Sequence, residues 1–201
     1  MINNFDTIVP LLDFSDPDLF YYGQVIRRRK DWGNGGMEVG AQVIKVFEFH
    51  SQESMQRQWP FLKNLANSNM SRIYINLNRR SKKVILHRLN LKLANRILSG
   101  GYDGLAGDYA STLGKWSSEP RSTKKWLIDV DVKSELLMIK LGFFLKEVGS
   151  SIYCIIPTTQ GCHVITQPFP LTKAPKLQDV DFKKDNPTLL YYKFGENDET
   201  S

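Results

Sequence analysis

No stretch of eighteen apolar residues occurs in this 201-residue chain, which excludes an apolar spanning helix. The start, MINNFDTIVPLLDF, carries Asp6 and Asp13 and no basic n-region, so it does not read as a secretory signal. Cysteine is scarce: Cys154 and Cys162 are the only two, without CxxC or Cys/His metal spacing. They read as free thiols of a reducing, cytoplasmic compartment. Histidine is as rare, with His50, His87 and His163 alone. Internal repeats and low-complexity tracts are absent, which excludes solenoids and disordered arrays.

What is present is positive charge in clumps. The formal net charge is +6, gathered in RRRK at 27–30, RRSKK at 79–83, KK at 124–125 and KK at 183–184, against an acidic end GENDETS. Clumped cations favour a polyanionic partner, nucleotide or nucleic acid, and a solvated face is the plainer reading that charge alone leaves open.

The hydrophobic pattern alternates strands with helices and predicts an α/β (α+β) fold. FYYGQVIRRRKD and GAQVIKVFEFHS read as strands around a WGNGG turn. SQESMQRQWPFLKNLANSN reads as a helix capped by Ser51 or Ser54, kinked or split at Pro60. SRIYINLN is a strand and SKKVILHRLNLKLANRILSGG an amphipathic helix closed by Gly100 and Gly101. Residues 101–123 read as a connector. KWLIDVDV, a helix KSELLMIKLGFFLKEVG, and the strands SIYCIIP and CHVITQPF follow. VDFKKDNPTLLYYKF makes one or two strands more. The chain is thus one unit, 1–201, with sub-lobes at about 1–105 and 120–195.

Asp129 and Asp131 stand out because they interrupt an apolar strand. Alternation puts both on one face, about 7 Å apart, which Leu127 shares, while Trp126, Ile128 and Val130 face the other way. Paired carboxylates in a half-buried place repel unless a cation lies between them, and oxygen donors suit Mg²⁺ or Mn²⁺. The plainer reading makes Asp131 a helix cap, helped by Ser134 or Glu135. Haloacid-dehalogenase-like phosphatases carry DxD near the chain start, and sugar-nucleotide glycosyltransferases need a longer chain, so neither pattern fits. Downstream, Thr158, Thr159 and Gly161 offer hydroxyls and accessible backbone to a phosphate, with His163 just after the turn.

A strand ending in DxD, a helix, a hairpin carrying a small residue-x-His, and a strand with a further Asp together resemble the archaeo-eukaryotic primase superfamily, the primase-polymerases. SRIYINLNRRSKK resembles the strand and basic residues that precede the connector in small phage and plasmid members. The resemblance maps Asp129 and Asp131 onto the first motif, and Gly161 and His163 onto the second, where many members have Ser for Gly161. It maps Asp181 onto the third motif, with Asp185 as the alternative. It implies an N-terminal αβ lobe packed on an RRM-like, ferredoxin-like catalytic lobe. The implied activity is template-directed primer synthesis or extension on DNA or RNA, with Mg²⁺ or Mn²⁺ held by Asp129, Asp131 and Asp181. His163, Thr158, Thr159 and Gly161 would bind the triphosphate. Arg79, Arg80, Lys82 and Lys83 would track the template backbone, with Arg27, Arg28 and Arg29 as a weaker candidate. Tyr74 and Trp32 are candidates for base stacking, with core packing the plainer reading for Tyr74. Separate helicase or replication proteins would be its partners, in a bacterial host if the source is a phage or plasmid. Two other readings stay open: a silent nucleotide-binding or nucleic-acid-binding protein of the same fold, and a metal-dependent nuclease using Lys133.

Overall fold

The computed structural model describes residues 1–28, 40–101 and 104–193. Arg29, Trp32, the WGNGG turn and the acidic end lie outside them. Two antiparallel sheets and five α-helices are present among the described residues, a mixed α+β architecture.

The first sheet runs β1-β10-β4-β2-β3, formed by β1 (Ile2–Asn3), β2 (Leu19–Arg27), β3 (Gln42–Phe49), β4 (Arg72–Asn76) and β10 (Pro187–Tyr192). Short β5 (Arg80–Ser81) pairs with β2 off this path. Helix α2 (Gln52–Ser68) starts at Ser51, whose hydroxyl accepts from Ser54 N at 3.1 Å. It runs through Pro60 without splitting. Its buried Met55, Trp59, Leu62 and Ala66 recur at helical spacing against Tyr21, Val25, Phe49, Ile73 and Ile75. Burial of the stripe stabilises the unbroken helix and outweighs the one backbone bond that Pro60 removes. Helix α1 (Phe5–Ile8) adds Ile8 to that core. The opposite side of the sheet takes α3 (Lys82–Leu98) and α4 (Leu105–Lys115) around Phe20, Tyr22, Ile85 and Leu113. α4 lies inside the stretch expected to be a connector.

The second sheet runs β7-β8-β6-β9, formed by β6 (Trp126–Val130), β7 (Ile152–Pro157), β8 (Cys162–Thr166) and β9 (Val180–Lys183). With α5 (Glu135–Glu147) between β6 and β7, this is the split β-α-β arrangement of a ferredoxin-like sheet. Its second crossover is reduced to one 3₁₀ turn, Leu171–Lys173. Ile128, Val130 and Val164 pack under Leu141 and Leu145 of α5, each such buried side chain contributing about 1.5–3 kcal/mol. Leu127, Ile156 and Ile165, from the other face, join the core of the first sheet, so the two lobes share one interior.

The sub-lobe boundary differs from expectation. VDFKKDNPTLLYYKF is two strands serving different sheets: β9 ends the second, and β10 lies inside the first between β1 and β4. No helix among the described residues is long and apolar enough to cross a membrane.

Candidate functional site

Register places the candidate acids in one row. Asp129 is opposite His163 on β8 and opposite Asp181 on β9, so the three side chains share a face. Asp131 follows two residues later, its backbone N–H donating to Asp179 O at 3.0 Å, and its side chain is exposed. The cap of α5 is Ser134, whose hydroxyl accepts from Leu137 N, so Asp131 is not spent as a cap.

These residues line a cleft of about 420 Å³ between the sheets, together with Thr158 and Thr159 of the β7–β8 turn. The facing wall is cationic and aromatic, with Arg28, Arg72 and Tyr74 from the first sheet, while Lys183 of β9 stands among the acids. Arg28 donates to the Tyr74 hydroxyl at 3.4 Å, and Arg72 donates to Thr159 Oγ1 at 3.4 Å while its guanidinium lies 4.3 Å from the Tyr192 ring centroid. Tyr74 is therefore half-exposed in the cleft wall.

Asp129 is the electrostatic centre. Its Oδ1 lies 3.3 Å from His163 Nε2, and its Oδ2 accepts from Lys183 Nζ at 2.5 Å. The His163 hydrogen bond is the largest cause holding its carboxyl well below the usual 3.8; burial opposes it, and Lys183 adds to the lowering. Because the ionised carboxylate only accepts, Nε2 carries the hydrogen. Nδ1 then accepts from the Thr188 hydroxyl of β10, 2.8 Å away and fully buried, in the neutral ring. Thr188→Val should cost about 1–3 kcal/mol by leaving that buried nitrogen unpaired. Thr188→Ser should retain both the stability and the Nε2–H tautomer, read from the imidazole nitrogen shifts. Equal shifts in parent and Thr188→Val would remove Thr188 from the tautomer argument.

Lys183 also lies 3.8 Å from the exposed Asp181 carboxylate. Among the described residues, no three His, Cys, Asp or Glu side chains converge on one cation position. The donor chemistry still fits a hard cation: Mg²⁺ commonly takes one or two carboxylates and completes its shell with water and phosphate oxygens. Asp129 and Asp131 bring carboxylate oxygens to one cleft, with Asp181 beside them, and the Asp129 oxygens are met by His163 and Lys183.

Several expected contacts fall elsewhere. Arg79 is buried: its guanidinium holds Glu119 by two bonds of 2.9 Å and Asp13 at 2.6 Å. Burial pushes Glu119 upward, but the hydrogen bonds from Arg79 and Thr123 outweigh it and keep it ionised. Arg80 is 0% exposed, bonded to Leu113 O, Asn78 O and Asp185 Oδ2. Neither arginine can track a template, because their charges are spent in the interior. Lys82 donates to Pro17 O, while Lys83 is exposed on the first turn of α3. Asp185, the alternative for the third motif, is held by Arg80 and Asn78 and does not line the cleft. Lys133, offered for nuclease chemistry, lines a separate groove with Met138 and Gly161.

Gly161 does not face the cleft either. Its N–H donates to Thr158 Oγ1 and its carbonyl accepts from Thr158 N, so its backbone is engaged within the turn. A Cβ there would stand 1.9 Å from Val130 O and 2.9 Å from Val132 N. Serine, common at the matching position of the family, has no room here. Gly161→Ser should therefore destabilise by about 1–3 kcal/mol, the usual scale of overpacking, read as a lower urea midpoint. An unchanged midpoint would show that the hairpin can shift at no cost.

Arg72 and Thr188 carried no sequence signal strong enough to single them out. Arg72 and Tyr74 do sit at i, i+2 before the basic run, an alternation that a cleft-facing strand produces. The chain matches no protein-family model, no curated protein and no solved structure.

Proposed function

We propose that this chain is a metal-dependent nucleotidyltransferase that performs template-directed primer synthesis or extension, as a small member of the primase-polymerase superfamily. The observation that carries the reading is the Asp181–Asp129–His163 row, with Asp131 and the hairpin threonines, opening on a cleft whose other wall is cationic. Mg²⁺ or Mn²⁺ on Asp129 and Asp131, with Asp181 alongside, would supply the charge that favours an ionised 3′-hydroxyl and a departing pyrophosphate. The chain's own part is positioning. Lys183, Arg72 and Arg28 offset phosphate charge, and Thr158 and Thr159 offer hydroxyls at the turn. The 3.3 Å contact from His163 to Asp129 is at the long end for N–H···O, so a phosphate oxygen in the cleft competes for the same hydrogen. Half-exposed Tyr74 offers a ring face to a base.

The test is incubation with labelled nucleotides, a primed or unprimed DNA or RNA template, and Mg²⁺ or Mn²⁺. Extension supports the reading, and degradation of the template replaces it with a nuclease. Asp181→Ala should abolish incorporation while melting like the parent, since its side chain is 73% exposed. Full activity in Asp181→Ala would remove the third motif.

One observation favours a second reading, a silent nucleotide-binding protein of the same fold. Both Asp129 oxygens are already satisfied, by His163 and Lys183, so a cation would have to displace one of them, while the rest of the cleft stays open to a nucleotide. Saturable triphosphate binding with neither extension nor degradation would establish it.

A further inference from the structure

With Arg79 and Arg80 buried, exposed cations of the chain lie elsewhere, in the cleft and on a second surface. A second furrow, of about 470 Å³, opens at the end of the second sheet remote from the β7–β8 turn. Arg121, Lys124 and Lys184 line it. Trp126 forms its floor, set edge-on against Phe169 at 5.1 Å between ring centroids. Its only carboxylate is Glu119, whose charge is already met by Arg79. Arg121 and Lys184 are exposed, and among the described residues none of the three cations is ion-paired. Lys184 instead rests over the Trp126 ring, 5.7 Å from its centroid. Three basic side chains of α3 are committed elsewhere, Lys92 and Arg96 to Asp108 and Arg88 over Trp116 at 4.1 Å, which leaves Lys83 exposed at its first turn.

From this we infer that the furrow of Arg121, Lys124, Trp126 and Lys184 is a binding track for single-stranded nucleic acid. Three unpaired cations beside an indole match a phosphate backbone with an unstacked base, which an acidic peptide lacks. The furrow and the cleft open on opposite faces of the second sheet and come together at its β9 edge. Lys183 and Lys184 are consecutive at the end of β9, an edge strand, and face the cleft and the furrow respectively. Trp126 precedes Asp129 by three residues on β6, about 10 Å along the strand. A strand crossing the edge of β9 therefore meets both places within on the order of three to five nucleotides. The inference uses the nucleic-acid half of the proposed function but not its chemistry.

The test compares binding of a labelled oligothymidylate across a salt series for three proteins. They are the parent, Arg121→Glu/Lys124→Glu/Lys184→Glu, and a control of equal charge on exposed α5-side lysines, Lys133→Glu/Lys140→Glu/Lys146→Glu. Each phosphate contact contributes about 0.7 to the slope of log affinity against log salt for single strands. The furrow variant should lose about two from that slope and the control much less, with all three melting alike. Binding should also quench indole fluorescence in the parent and not in Trp126→Phe. Equal slopes for parent and furrow variant, equal losses in furrow variant and control, quenching that survives Trp126→Phe, or displacement of the strand by polyglutamate of matched charge would each overturn the inference. Strand binding through the furrow without nucleotide incorporation would keep the track and sink the proposed chemistry. Incorporation by the parent, with a furrow variant that binds as the parent does, would do the reverse.

Discussion

Asp185→Ala should unfold at a much lower denaturant concentration than the parent, with a loss of about 3–5 kcal/mol, the usual cost of removing one partner from a buried ion pair. The guanidinium of Arg80 is fully buried, and Asp185 is its carboxylate, at 3.0 Å. The same carboxylate accepts from Asn78 Nδ2 at 2.9 Å, and Asn78 ties on to the backbone of Lys125 through both its amide nitrogen and its oxygen. Loss of Asp185 therefore leaves a charge uncompensated at the junction where the chain enters the second sheet. Replacing both partners, Arg80→Met with Asp185→Leu, should recover much of the loss, because no buried charge remains. If Asp185→Ala melts like the parent, Arg80 reaches water by another route and the junction is not held by this pair.

Asp129→Asn should reduce nucleotide incorporation at least about a hundredfold, the scale on which one preorganised electrostatic contact is lost from a transition state. The change keeps the shape of the side chain and removes its charge, so it separates electrostatics from packing. It should also alter the acid limb of stability. The folded carboxyl is held below its usual 3.8, so its stabilising contribution is fully present above that value. The contribution is lost as pH falls from about 4 toward the lower folded value. Chemical denaturation at pH values from 5 down to about 2 should show a shallower decline for Asp129→Asn than for the parent. Parallel declines would mean that His163 and Lys183 do not stabilise the ionised form. Undiminished incorporation would place the chemistry outside this cleft.

The row of site residues was legible because it depends on short-range alternation. Trp126, Ile128 and Val130 had to face an interior, which left Leu127, Asp129 and Asp131 for the other side, and the same count on VDFKK set Asp181 and Lys183 facing the acids. The single His after a tight turn was likewise a local signal. What failed was long-range. RRSKK reads as a solvated cationic run because the groups that bury Arg79 and Arg80 lie 40 residues away at Glu119, 66 at Asp13 and 105 at Asp185. Helix α4 was missed for a related reason. LAGDYASTLGK is rich in residues of weak helix propensity. The helix is held by burial of Leu113 and by Asp108 receiving Lys92 and Arg96 from α3. Gly161 was misread for want of a view of its surroundings: no pattern in the letters shows that the Val130 carbonyl occupies the space of its missing Cβ.

The position of β10 bears on how the protein is made. A ribosome delivers β1, β2, β3 and β4 early, yet the strand that joins β1 to β4 arrives only with residues 187–192. Until then β4 presents an unpaired edge, and β1 lacks the strand it pairs with. That edge carries Ile73 and Ile75, which a neighbouring nascent chain can pair with. The second sheet, complete at Lys183, can close first, so the lobe translated first is the one finished last. Expression at lowered temperature, or with a chaperone that shields nascent strands, should raise the soluble yield for this reason.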